Sequence, residues 1–300
     1  MSEKNRLRMA FIFNCDYFDS NKPDDDYSAE HEQVIRHNMN AILCSVDDFL
    51  ERGKLRIKVA EAPTTVIYRG WMLPVEQYAL FYNALYEKGY TLINTPEQYR
   101  QCHYFPFWYG LLKDYTAESI CVDSIDRQGI ISALSSFGKT PLIIKDYVKS
   151  RKHEWHEACF IPDASDTENA LNVIDRFIER QGSDLLGEIV LRKYLSLEMV
   201  GTHDKSHMPI AKEVRVFCVH HTLFANISYW TGDGTSIEFP DELMQTCQNL
   251  DSDFYTIDMA MTTEGKWVII EVGDGQVSGL QDYDAGKFYD GLVGCLIIGI

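Results

Sequence analysis

The chain has 300 residues, 45% hydrophobic and 24% charged, with a formal net charge of −17. This suits two domains or one large one of a soluble globular protein, and the acidic balance argues against a general nucleic-acid surface, which needs clustered Lys and Arg. No apolar run reaches the roughly 18–20 residues that span a bilayer, the start lacks a signal-peptide h-region, and eight cysteines without a C-x-x-C point to reduced thiols in the cytoplasm.

In chain order, "RMAFIFNCDYF" reads as an apolar strand and "DSNKPDDDYS" as a polar loop. From Ser28 a helix is expected, with Glu30 and Glu32 in its first turn, an apolar stripe of Ile35, Met39, Ile42, Leu43, Val46, Phe49 and Leu50, and Gly53 as its C-cap. "TTVIYRG" is a strand, "LPVEQYALFYNALYEKG" a helix, and "TLINTPEQ" a strand leading into another helix. Strand and helix alternating over the first hundred residues predicts an α/β domain with parallel strands. The later segments change character. "PLIIKDYV" and "ACFIPD" are strands around a basic loop, "DTENALNVIDRFIERQG" is a helix capped by Asp166, and "EIVLRKYLSLE" is a strand that becomes irregular. "KEVRVFCVHHTLFANISYW" and "FYTIDMAMTTEGKWVIIEV" are expected as antiparallel pairs, the second turning near Glu264 and Gly265. Residues 1–110 are therefore read as an α/β domain and 111–300 as an α+β domain with subdomains of about 111–187 and 188–300.

Ala133 to Thr140, "ALSSFGKT", fits a loose Walker A pattern with Ala for the first Gly. A strand rather than a helix follows, so a turn is expected there. Lys145, Lys149, Arg151 and Lys152 crowd into eight residues, which reads either as a solvated loop or as a local anion site. His153 and His156 lack a third zinc ligand, and His220 and His221 are expected on opposite faces of a strand.

The carboxylates Asp258 and Glu271 carry the sharpest question. Strand alternation with an even hairpin loop places Asp258 opposite Ile269, so that Glu271 is its diagonal neighbour on the same face, at a backbone separation of about 7–8 Å. A buried carboxylate keeps its charge only with a partner. From the residues alone two partners stand open: a cation shared with Asp258 and helped by Asp274, or an internal ion pair with Arg215 or Lys193. Oxygen-only ligands of this kind suit Mg2+.

Three ordered elements resemble the ATP-grasp superfamily of carboxylate–amine ligases: a strand-end lysine in "LIIKDYV", a hinge strand "IVLRKYLSLE" followed by E-x-R in "KEVRVFCV", and a final hairpin with Asp then Glu in "YTIDMAM" and "VIIEVGDG". "VIYRGWM" and "EVGDGQVSGL" look like a divergent group of that superfamily common in phages and bacteria, with a more distant similarity to the eukaryotic cell-division-cycle family that assists assembly of a translation initiation factor. The resemblance implies a pre-ATP-grasp α/β domain followed by an α+β ATP-grasp domain of two subdomains, with ATP held between antiparallel sheets. It implies ATP and Mg2+ as cofactors. Lys145 would contact the α- and β-phosphates with help from Lys149, and the hinge backbone at Leu191, Arg192 and Lys193 would hold adenine. Glu198 or Glu213 would take the ribose hydroxyls, Arg215 would stabilise the transferred phosphoryl group, and Asp258 and Glu271 would hold Mg2+ with Asp274 near.

Arg69, in "YRGW" at a strand end, is expected either to be packed structurally or to face the ATP site across the cleft and touch acceptor or γ-phosphate. The sequence departs from the superfamily pattern in three places: no glycine follows Lys145 in its loop, Gly273 stands where an Asn would align, and "ANISYW" lacks an arginine. The expected activity is an ATP- and Mg2+-dependent ligase joining a carboxylate to an amine, with the acceptor unidentified and a peptide or protein among the candidates. The alternative is an ATP-binding assembly factor that holds a protein partner without turnover.

Overall fold

The computed structural model describes residues 8–203, 207–231, 233–234 and 237–298. The first seven and last two residues, read above for a leader and an anchor, lie outside the described residues. Among the described residues no helix is long and apolar enough to cross a membrane, and the eight cysteines form no disulfide.

The first layer runs β1 (Arg8–Asn14), α1 (Ser28–Arg36), β2 (Asn40–Cys44), α2 (Val46–Arg52), β3 (Thr64–Arg69), α3 (Val75–Tyr86) and β4 (Tyr90–Leu92). Its strands form a parallel sheet in the order β2-β1-β3-β4. Both faces are covered, as parallel sheets require: Ala10 and Ile12 enter one core with Tyr78 and Phe81, and Phe11 and Phe13 enter another. The single helix expected from Ser28 to Gly53 is corrected to helix, strand, helix. Asn38 adopts a left-handed φ of 55°, which Asn tolerates better than most residues, and α1 stops. The following apolar residues pair in register with β1, from Ala10↔Asn40 to Asn14↔Cys44, and Ser45 caps α2 by accepting from Asp48 N. The apparent helical stripe straddled three elements, and Ile35, its first member, is 54% exposed.

The second layer begins with α4 (Pro96–His103), entered through a Thr95–Gln98 capping box, and α5 (Phe105–Leu112). Then come β5 (Ser119–Val122), α6 (Arg127–Phe137), β6 (Leu142–Lys145), α7 (Trp155–Ala158), β7 (Phe160–Ile161), α8 (Thr167–Gln181) and β8 (Ile189–Lys193). The strands make an antiparallel sheet ordered β5-β8-β6-β7. Leu142, Ile144, Ile189 and Leu191 of β6 and β8 bury one face against α6 and α8. The Walker-like segment is the end of α6 and the turn after it, as expected.

The third layer holds β9 (Met199–Thr202) and β10 (Pro209–Ala211), an antiparallel pair. It continues with β11 (Glu213–Val219), β12 (Thr222–Ser228), α9 (Asp241–Cys247), β13 (Phe254–Met261), β14 (Trp267–Asp274) and α10 (Ala285–Ile298). The last four strands form an antiparallel sheet ordered β12-β11-β13-β14. Val214, Val216, Tyr255, Ile257 and Ile269 bury one face of it against α5 and α9. Phe217, Ala225 and Ile227 join Phe11, Phe13, Phe288 and Tyr289 in a core that locks the first layer to the third through α10. His220 and His221 are not on a strand. They form the two-residue turn between β11 and β12, both with positive φ, as such hairpin turns demand.

Candidate functional site

A cleft of about 620 Å3 opens between the second and third sheets. One end is apolar, lined by Ile143, Trp155, Tyr194, Leu195, Met208 and Trp230. The other end is charged, and the sheet register explains its order. Arg215 of β11 lies directly opposite Asp258 of β13, which lies directly opposite Glu271 of β14. Residues paired this way share a face, so the three side chains form one row across the floor of the cleft. Arg215 grips Asp258 with two bonds of 2.8 Å, Nε to Oδ1 and Nη2 to Oδ2. From the facing sheet, Lys145 at the end of β6 donates to Glu271 Oε1 at 2.6 Å. The carboxylates are thus neutralised by two internal cations, one on each side of the cleft. Burial works against the charge on Glu271, but Lys145 and Lys152 outweigh it and hold its carboxyl below the usual range.

The hairpin register differs from the diagonal arrangement expected. Met259 pairs with Ile269 while Asp258 pairs with Glu271, so Ile270 is an extra residue in β14, a β-bulge. The bulge brings the carboxylates face to face and presents two successive carbonyls to Arg192, whose Nη1 donates to Ile270 O at 2.5 Å and Nη2 to Ile269 O at 3.1 Å. Burial lowers the Arg192 pKa to about 10, with Glu271 opposing. Arg192 thereby ties the second sheet to the bulge.

The glycine-free loop after Lys145 is a fixed turn. The buried carboxylate of Asp146 accepts from Val148 N at 2.7 Å, Lys149 N at 2.5 Å, Gln181 Nε2 at 2.9 Å and Leu186 N at 3.3 Å. Lys149, Ser150 and Lys152 line the cleft. Arg151 turns away, to Glu154, Gln181 and the carbonyl of Arg180.

Several expected roles are corrected by these positions. Arg69 does not face the cleft. It is 0% exposed, and its five N–H donors go to both oxygens of Glu30 and to the carbonyls of Gly275, Gln276 and Ser278. The crevice beyond the carboxyl ends of the parallel strands is filled by the chain's own loop after β14. Asp274 is held in the same plug. Its oxygens accept from Asn94 Nδ2 at 2.5 Å, Gln276 N at 2.9 Å and Gln276 Nε2 at 3.2 Å, so it is no free metal ligand. Burial pushes its carboxyl up to about 6. Glu198 points to Lys212 at 3.4 Å on the surface, whereas Glu213 lines the cleft. The backbone of Leu191 and Arg192 is consumed by pairing with β5 and β6, Lys193 N donates to Glu118 O, and Tyr194 N to Pro141 O. The first N–H after the strand with no partner among the described residues is Leu195. Gly273 stands opposite Thr256, where a Cβ would come within 2.8 Å of Thr256 Oγ1, so the missing Asn has no room.

Glu213 makes no hydrogen bond through its carboxylate among the described residues. Burial pushes its carboxyl up to about 7, with Lys152 opposing and Asp258 reinforcing. An acid with a raised folded pKa contributes stability that is fully present below its unfolded value and lost as pH rises through the folded one. The stability of Glu213→Gln relative to wild type is therefore expected to rise as pH increases from 4.5 to 7. Urea unfolding across that window checks it, and a flat or falling difference would contradict the assignment.

Sequence reasoning missed His103, the last residue of α4, and Lys152 as a cleft residue in its own right. Burial and nearby Glu213, Tyr229, Glu271 and Asp258 pull in opposite directions on Lys152, and the anionic groups prevail to raise its pKa. Nothing in the local pattern around His103 marked it, because its place depends on α4 packing against β14.

Residues 132–292 match a family model described as an ATP-grasp domain, the third family of its clade. No curated protein matches the chain. Among solved structures, the ATP-grasp ligase PsnB complexed with precursor peptide PsnA2 and AMPPNP is 13% identical with a TM-score of 0.58, covering 98% of this chain and 100% of that one. The D-cycloserine synthetase DcsG is 14% identical with a TM-score of 0.59, covering 96% and 99%. The D-alanyl-alanine synthetase A from Vibrio cholerae O1 biovar eltor str. N16961 is 11% identical with a TM-score of 0.60, covering 98% of both chains. At these identities the structures share the fold.

Proposed function

The chain belongs to this third clade family of ATP-grasp domains, and from that premise we propose that it is an ATP- and Mg2+-dependent ligase joining a carboxylate to an amine through an acyl phosphate. The observation that carries the reading is the row Arg215–Asp258–Glu271 facing Lys145 across the charged end of the cleft. Phosphoryl transfer needs positioned cations and a metal more than covalent catalysis.

Adenine is assigned to the apolar end, against Ile143, Tyr194 and Met208, with Leu195 N–H as its backbone donor. Glu213 is assigned to the ribose, and Lys145, Lys149 and Lys152 to the phosphates. Asp258 and Glu271 fit Mg2+ by donor chemistry: two oxygen ligands on one face suit a small hard cation that completes its shell with substrate phosphates and water. Among the described residues no set of three or more His, Cys, Asp or Glu is grouped for a metal, which agrees with an ion that arrives with the nucleotide. When bound, the ion would neutralise phosphate charge. Arg215, buried beside Asp258 and fixed by Gly279 O at 3.0 Å, stabilises the charge on the transferred phosphoryl group. The closed cleft keeps water from the acyl phosphate. A peptide or amino acid as acceptor is supported by neighbours whose names describe a precursor peptide or D-alanyl-alanine.

The test is Lys145→Ala. A charge-assisted hydrogen bond to phosphate is lost, so calorimetry should show ATP affinity weakened tenfold or more, about 1.4 kcal/mol. Unchanged affinity would remove Lys145 from the phosphate site. Release of ADP and phosphate only when both a carboxylate and an amine are supplied would establish the ligase step.

A further inference from the structure

The portion of the chain before residue 117 sends two side chains into the cleft, Met72 and His103, and His103 is the polar one. Its imidazole is 6% exposed. Tyr99 and Tyr104 cover it at centroid distances of 4.9 and 5.8 Å, with interplanar angles of 34° and 30°. Rings that lie over both faces leave the edge, with its two nitrogens, as the part that meets the cleft. Neither nitrogen has a hydrogen-bond partner among the described residues. A buried polar group without a partner costs about 1–3 kcal/mol, so a side chain kept in this condition on a cleft wall points to a partner supplied by a ligand.

The position narrows which ligand. α4 packs along β14, the edge strand of the third sheet. His103 therefore reaches Glu271 from the outer side of β14, while Asp258 flanks Glu271 from β13. The charged groups that act on the imidazole are Glu271, Lys145 and Lys149, all at the phosphate end. Burial, reinforced by the two lysines, pushes its pKa down to about 4, so it is neutral and offers one donor and one acceptor. In the ligand-free cleft Lys145 and Lys149 repel a cationic amine. Nucleotide phosphates neutralise both, and they also raise the proton affinity of the ring.

Resting on the ligase reading above, we infer that His103 receives the amine substrate and takes the proton its nitrogen gives up on attacking the acyl phosphate. In that step the nitrogen–carbon bond forms and the carbon–oxygen bond to phosphate breaks. Phosphate leaves with the electron pair, and the proton passes to the open imidazole nitrogen. The amine follows the nucleotide, because it enters only after the lysines are neutralised.

The experiment uses the full chain saturated with Mg2+ and a non-hydrolysable ATP analogue, with nitrogen–proton correlation spectra of the imidazoles. His103→Gln assigns the His103 signal by its disappearance. Glycinamide, an amine without a carboxylate, should shift that signal, and N-acetylglycine, a carboxylate without an amine, should not. The opposite pattern, or no shift with either probe, overturns the assignment. Calorimetry of the nucleotide analogue separates the two layers. Absence of nucleotide binding defeats the ligase reading itself, whereas binding without a His103 response defeats only the role of His103.

Discussion

Arg69→Met is expected to lower the free energy of unfolding by about 3–5 kcal/mol, the range for breaking one partner of a fully buried ion pair. All five guanidinium donors are used, two on Glu30 and three on carbonyls of the loop after β14. Without Arg69, Glu30 keeps the Tyr289 hydroxyl at 2.9 Å as its hydrogen-bonding side chain, and three carbonyls lose a donor in the interior. Adding Glu30→Gln removes the stranded charge and should recover part of the loss. Urea unfolding of the single and double variants decides the matter. A loss below about 1 kcal/mol for Arg69→Met would place the pair among those that contribute little.

Glu271→Gln should abolish the stabilisation that depends on magnesium. In the wild type, Mg2+ with a non-hydrolysable ATP analogue is expected to raise the melting temperature more than the analogue with a chelator. Mass action gives about 2.7 kcal/mol at a hundredfold excess over Kd. In Glu271→Gln the two conditions should converge. A retained difference would mean that the metal lies elsewhere and that Glu271 serves only as the partner of Lys145. The same substitution at Asp258 is a poorer probe. Two repelling carboxylates would gain from losing charge, but Asp258 is gripped by buried Arg215, so Asp258→Asn strands a cation and destabilises the fold. Glu271, its side chain 36% exposed, leaves a milder deficit.

Strand alternation was enough to read Asp258 and Glu271 onto one face, because a hairpin is local and its period is two. The lysine at the end of β6 was legible for a similar reason, as a charge closing an apolar run. What failed was whatever long-range pairing decides. β2 hid inside a helical stripe because its apolar residues fit both periods, and only β1, some thirty residues earlier, makes it a strand. Arg69 sits at a strand end, which in an open α/β sheet faces ligand. Here residues 274–278 occupy that place, an arrangement no local pattern announces. His103 gained its position from packing against a strand more than 160 residues later in the chain.

With a bulge at Ile270, this chain tolerates changes in length unevenly. The turn between Met261 and Trp267 lies outside the ladder, so residues gained or lost there alter only the surface. The ladder from Thr256 to Met261 depends on one surplus residue being accommodated at position 270 and nowhere else. Deleting Ile270 would straighten β14, but every residue on one side of the deletion would then exchange faces. Either Glu271 would turn from the cleft into the apolar layer, or Ile269 would leave the core it fills with Ile257 and Met259. Arg192 would also lose one of its two carbonyls. Single-residue deletions scanned through the hairpin should therefore be tolerated near Glu264 and rejected at Ile270, although 270 lies in a strand where the neighbouring side chains are themselves replaceable.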